Sequence, residues 1–161
     1  MNIEIIEKYG IVVENKEIKL GQEAGILMNQ LEEGEVFDDT YYFYNSNLAI
    51  YAEHGLISYI ELRGGQDSDI RAMFHGVDLF QCEKKRALEF LKTKNADTLK
   101  QDEMEYIAEN LGITVSSGIS EEEVDDLERS AKQDGVYEEM LEDIKKDRYR
   151  SEHIEIIGVS F

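Results

Sequence analysis

The sequence predicts an α+β fold: an antiparallel sheet of about five or six strands with helices packed on it, formed as one domain over residues 1–161. Three observations predict it. Residues 40–65, TYYFYNSNLAIYAEHGLISYIELRGG, are rich in aromatic and β-branched side chains, and Asn45-Ser46-Asn47, His54-Gly55 and Gly64-Gly65 cut them into three strands. Strands joined by turns too short for a crossover helix form an antiparallel meander. Several other segments place apolar residues three and four apart, the spacing of an amphipathic helix. Finally, 161 residues is the length of one ordinary domain and is enough to bury a single core without disulfide or metal.

Taken in order, IEIIEKYGIVVENKEIKL reads as one or two short strands around the turn-like Tyr9-Gly10 and Glu14-Asn15. GQEAGILMNQLEEG sets Ala24, Leu27, Met28 and Leu31 at helical spacing between Gly21 and Gly34. In the third strand of the meander, Ile57, Tyr59 and Glu61 alternate with Ser58, Ile60 and Leu62, so one face can pack on helices. RAMFHGVDLF is a strand with a turn at His75-Gly76, and CEKKRALEFLKTKN is a helix with Ala87, Leu88 and Leu91 on its inner face. QDEMEYIAENLG reads as another helix, with Met104, Ile107, Ala108 and Leu111 inward and Gly112 as its cap.

ITVSSG is a short strand, after which an acidic helical segment spans about residues 118–149. Ser120 and Glu123 form a capping box there, and Gly135 divides two helices. The terminal HIEIIGVSF returns to strand, with residues 154–159 joining the meander's sheet. The chain has no proline and no repeat of fixed period.

The formal charge of −19 divides unevenly, a net −7 over residues 1–95 and −12 over residues 96–161. Such a charge opposes binding to a phosphate backbone, whose affinity comes from Lys and Arg displacing counterions, and it attracts basic proteins. The expected partner is therefore a basic protein and not nucleic acid. No stretch approaches the roughly 20 apolar residues that span a bilayer, and the opening MNIEIIEKYG lacks the pattern of a secretory leader. With the single cysteine Cys82 excluding an internal disulfide, the chain reads as cytoplasmic with no membrane partner.

Chemistry-bearing groups are sparse. His54, Asp67, Asp69 and His75 near hairpin ends are the residues on which a small metal-dependent hydrolase would rest. GGQDSD lacks the later glycine and bidentate Glu of a calcium loop, and each histidine precedes a glycine, a turn context with its own conformational reason. Cys82, close to Lys84 and Arg86, could carry a somewhat acidic thiol. No catalytic motif, metal set or cofactor fingerprint is evident, and the expectation is a non-enzyme without cofactor.

SEEEVDDLERSAKQDGVYEEMLEDIKKD places six carboxylates between Glu121 and Glu128 before its first base, Arg129. Helical amphipathicity alone explains their spacing. It does not explain the shortage of interleaved cations, since a surface built for stability mixes signs to gain i,i+4 pairs. Glu122, Asp125, Asp126 and Glu139 are the candidate partner-binding carboxylates, with exposed members of Tyr41, Tyr42, Tyr44 and Tyr51 as anchors.

KLGQEAGILMNQLEEG, YYFYNSNLAIYAEHGLISYIELRGG and FHGVDLFQCEKKRALEFLKTKN, in that order, with the HIEIIGVSF ending, resemble the layout of small acidic immunity proteins of bacterial polymorphic toxin systems. The resemblance covers residues 20–112 and the C-terminus. It implies a protein-binding inhibitor that masks the active site of a basic, nuclease-like toxin. The long acidic segment departs from that layout. An acidic regulatory adaptor shares the same physics with a different partner.

Overall fold

The computed structural model describes residues 1–65 and 68–161. The chain opens with β1 (Asn2–Ile6), β2 (Gly10–Val13) and β3 (Lys16–Lys19), an antiparallel series. Glu14 and Asn15 both take positive φ (50° and 64°) at the β2–β3 turn, whose two-residue form matches the twist of paired strands. A 3-10 turn at Ala24–Ile26 runs into the single-turn helix α1 (Leu27–Gln30). The meander follows as β4 (Glu35–Phe37), β5 (Thr40–Phe43), β6 (Leu48–Glu53) and β7 (Leu56–Arg63), one strand more than the sequence suggested. Next come the hairpin β8 (Arg71–Phe74) and β9 (Val77–Asp78), then α2 (Lys84–Lys94). The strands β10 (Lys100–Asp102), β11 (Glu105–Ala108) and β12 (Ile113–Ser116) precede α3 (Glu121–Gln133), α4 (Tyr137–Ser151) and the last strand, β13 (Ile156–Val159).

The α+β class is as expected, but the strands form two sheets instead of one. The smaller has the order β3-β2-β1-β8-β9, and the larger β10-β11-β12-β13-β7-β6-β5-β4. Ile3, Ile11, Ile18 and Phe74 from the first sheet meet Phe43, Leu48, Ile60 and Leu62 from the second in one continuous core. Helix α2 adds Ala87 and Leu91 to it.

Two sequence expectations are corrected. QDEMEYIAENLG is the β10–β11 hairpin and not a helix: Tyr106 and Ala108 turn toward the core, Glu105 and Ile107 lie on the opposite face, and Met104 is an exposed turn residue. Its helix-forming composition loses to pairing with β12, the kind of tertiary override that short segments allow. The alternation expected in β7 also breaks. Tyr51 pairs with Tyr59 but Ala52 pairs with Ile57, leaving Ser58 as the extra residue of a bulge. The bulge turns Ile57 to the same buried face as Ile60 and Leu62.

The large sheet consists of two equivalent four-stranded meanders, β4–β7 and β10–β13, joined edge to edge where β7 pairs antiparallel with β13. Glu35↔Tyr42, Val36↔Tyr41 and Phe37↔Thr40 in one repeat match Lys100↔Ile107, Gln101↔Tyr106 and Asp102↔Glu105 in the other. Two residues join the first pair of strands in each repeat and four join the second pair. A tight hairpin and a helix precede each meander, and each helix entrance makes an isolated bridge to the approach of the last strand, Glu23↔Leu56 at the first residue of β7 and Glu83↔His153 just before β13. Equivalent positions are equivalently buried: Leu31 and Leu91, Ile57 and Ile154, Ile60 and Ile157, Leu62 and Val159. The joining pairs Ile60↔Val159 and Leu62↔Ile157 exchange with each other under the same correspondence, as a two-fold axis requires.

If the two halves are structural equivalents, Leu31→Ala and Leu91→Ala should each destabilise the chain by about 2–5 kcal/mol, the cost of a cavity in a packed core. Denaturant unfolding of both variants checks this, and a near-neutral result for either one contradicts the equivalence.

Candidate functional site

The repeats part company at one connection. His54 and Gly55 alone link β6 to β7, whereas the equivalent β12 and β13 are linked by residues 117–155, which hold α3 and α4. The hairpin is locally well specified. Ser120 Oγ accepts from the Glu123 N–H at 3.1 Å and Glu123 Oε2 accepts from the Ser120 N–H at 2.8 Å, and this backbone donor holds the Glu123 carboxyl below its usual range. Gly135, at φ 73°, ends the first helix. Val124, Ala131 and Ile144 are buried in a cluster of their own, with Leu127, Tyr137 and Met140 packed around them, separate from the main core.

Polar contacts fasten the base of the hairpin to the body. Ser117 Oγ donates to the His153 carbonyl at 2.6 Å, and the Lys84 N–H donates to the Glu152 carbonyl at 2.7 Å. The Lys84 ammonium also reaches the Ser151 carbonyl, placing a cation at the negative end of α4. Arg150 pairs with Glu155 at 2.7 Å and Asp147 at 3.0 Å, and Gly118 leaves the room this needs because a Cβ there would collide with both Arg150 and Glu155.

The four candidate carboxylates differ. Asp125 pairs with Arg148 of the opposite helix at 2.7 Å, and Asp126 pairs with Arg129 at 2.7 Å. Arg148 also reaches Glu128 at 3.2 Å, and Lys132 takes Glu128 at 3.1 Å while lying 4.9 Å from the Tyr137 ring centre. The two Arg148 pairs tie α4 to α3, while the Arg129 and Lys132 pairs lie within α3. Glu122 and Glu139 are exposed, and among the described residues no ion pair engages either of them, nor Asp134, Glu138 or Asp143. Part of this charge is structural, since carboxylates in a helix's first turn favour its positive end. Chain direction nevertheless puts Asp134, Glu138 and Glu139 together at the free tip.

The tyrosines divide by sheet face. Tyr41 and Tyr44 pack against the core, and burial together with the Glu14 and Glu32 carboxylates pushes the Tyr44 phenol up to about 12. Tyr42 and Tyr51 stand on the opposite face, where Tyr51 lies 5.6 Å from Tyr59 between ring centres. Tyr59, which composition alone did not single out, crosses Gly158 of β13 so closely that any side chain there would collide with it. Burial, aided by Glu61 and Glu105, raises its phenol to about 12.

Among the described residues, the fold does not gather the hydrolase candidates. His54 occupies the β6–β7 turn at φ 53° and His75 the β8–β9 turn at φ 47°, on different sheets, and His75 Nε2 is 3.8 Å from Glu7. Asp67 lies outside the described residues. Among the described residues, no three His, Cys, Asp or Glu side chains are grouped to hold a metal ion. The Cys82 thiol is raised by burial and then by Asp78, outweighing Arg86, so the expectation of an acidic thiol is corrected. No helix among the described residues is long and apolar enough to cross a membrane.

Compared with protein-family models, with curated proteins and with solved structures, the chain matches none.

Three measurements follow from this geometry. Ile144→Ala should speed amide exchange throughout α3 and α4 and leave β6, β7 and β13 unchanged, because the hairpin's apolar cluster is its own. Equal acceleration in the sheet contradicts that separation. In an alkaline titration, two of the nine tyrosines should ionise near 12, and Tyr59→Phe should remove one of them. A phenol whose folded pKa exceeds its unfolded value of about 10 contributes stability that is whole below that pH and is lost as pH rises through the folded value. The midpoint of thermal unfolding should therefore fall as pH rises between about 10 and 12, less so in Tyr59→Phe.

Proposed function

We propose that this chain is a protein-binding module that neutralises a basic, nuclease-like toxin in the manner of small acidic immunity proteins, with the α3–α4 hairpin as its docking arm. One observation carries the reading: residues 119–152 stand where the equivalent connection is His54-Gly55 alone, and they bring much of the chain's surplus negative charge with them. A fold that closes with a two-residue turn has no structural need for the hairpin. Carboxylates at its tip take the positions of substrate phosphates and pair with the toxin's Lys and Arg, while the field of the whole chain speeds the encounter. The lone, half-buried thiol of Cys82 suits action in the reducing cytoplasm.

The ion pairs decide which carboxylates to test. Asp125 and Asp126 hold the hairpin's own cations, so reversing them also perturbs its folding. Glu122, Glu138, Glu139 and Asp143 can be reversed to lysine without breaking a pair. In cells expressing the toxin encoded beside this gene, the wild type should restore growth, whereas this quadruple reversal and a chain with residues 119–152 replaced by His-Gly, which keeps His153 and the core residue Ile154, should not. Against the purified toxin the reversal should lower k_on about tenfold or more at low salt, with the difference shrinking as salt rises. Full protection by both variants contradicts the reading.

A further inference from the structure

The two-fold relation between the meanders supplies an internal comparison of the large sheet's edges, β4 and β10. Edge strands expose unpaired N–H and C=O groups, and charged side chains commonly guard them. The β10 edge follows that rule, since Lys100, Gln101 and Asp102 are all polar and exposed. The β4 edge does not. Val36 is 48% exposed on one face of the strand and Phe37 is 72% exposed on the other, the most exposed of the chain's large apolar side chains among the described residues. An open recess lined by Glu35, Val36, Phe37, Tyr42 and Ser46 lies against this strand.

The charge around the edge is of one sign. Glu32, Glu33, Glu35, Asp38 and Asp39 are all exposed, no base interrupts LEEGEVFDD, and none of the five joins an ion pair among the described residues. This pattern selects the occupant. A second copy pairing edge to edge would bring two such acidic strands together, and like charges opposite one another across strands are destabilising. An extended segment in which Lys or Arg alternates with apolar residues satisfies both the open backbone groups and the field.

We infer that β4 is a strand-docking edge that adds an extended basic segment of a partner protein to the large sheet, with Phe37 gripping the segment's apolar side chains, which alternation puts on one face, and Tyr42 lining the recess on that same face. Main-chain hydrogen bonds supply affinity in this mode of recognition and alternate side chains supply selectivity. The edge is separate from the α3–α4 hairpin, which enters between β12 and β13 in the other repeat, and it does not depend on the function proposed for that hairpin.

The probe is the capped pentapeptide Lys-Val-Lys-Val-Lys, titrated at low salt into the isotope-labelled full chain, with Glu-Val-Glu-Val-Glu as its counterpart. Expected are amide shifts and slowed exchange confined to β4, β5 and their turn, about tenfold weaker binding by Phe37→Ser, as burial of one large side chain commands, weaker binding again by Glu35→Lys, and no response to the acidic peptide. The chain with His-Gly in place of residues 119–152 should respond like the full chain, which separates this outcome from any result on the hairpin. Shifts centred on α3–α4, unchanged affinity in Phe37→Ser, or no binding would each overturn the inference. So would concentration-dependent dimerisation abolished by Phe37→Ser, which would make a second copy the occupant.

Discussion

The pairing of β7 with β13 is the constraint on which the architecture depends. It joins two four-stranded meanders into a sheet that neither repeat could form alone, and it sets Ile60, Leu62, Ile157 and Val159 side by side at the centre of the core. Because the strands are antiparallel and the registers exchange under the two-fold relation, each repeat presents the other with the surface it presents itself. The small sheet follows the same logic. The β2–β3 and β8–β9 hairpins flank β1, which is antiparallel to β2 and parallel to β8, so the hairpins oppose one another as a two-fold axis demands. Gly158 at the seam has a matching role, since its missing side chain leaves the space that Tyr59 of the neighbouring strand fills.

Symmetry of the frame makes its departures informative. Where the repeats agree, burial and register are explained by the need to close the sheet over the core. Where they disagree, closing the sheet explains neither version. The two large disagreements are the connection before the last strand and the chemistry of the outer edge. One repeat carries a two-residue turn and an apolar edge, and the other carries a helical hairpin and a polar edge. Both departures are acidic and exposed, at different places on the molecule.

The acidic hairpin shows why counting carboxylates is a poor guide to a binding face. Arg148 spans the two helices and takes both Asp125 and Glu128, so part of the excess charge serves to hold the arm together. What is left for a partner is the set that no ion pair engages among the described residues, Glu122 near the base, Asp143 on α4, and Asp134, Glu138 and Glu139 at the tip. Glu138 and Glu139, in the first turn of α4, also complement that helix's dipole, so this end of the tip is stable while it remains strongly negative.

Turn chemistry and alternation let the sequence alone determine the strands from Thr40 to Arg63, the hairpin at His75-Gly76, helix α2, the capped start of α3 and the return of the terminus to the sheet, because each is signalled within a few residues. Local patterns did not reveal the β10–β11 hairpin, where glutamates and alanine favour helix until β12 offers a partner strand, or the bulge that puts Ile57 and Ile60 on one face. They also hid the duplication, because the repeats share buried positions and registers but few identities, and residues 119–152 interrupt the second. At the candidate site the charge was legible but its division was not: Asp125 and Glu139 look alike in the sequence, and only the packing of α4 on α3 brings Arg148 to one of them. Composition and short-range spacing determine what a segment can become. Which residues on distant segments meet is decided by closing a core from two halves, and that choice fixes which charges are spent inside the chain and which remain for a partner.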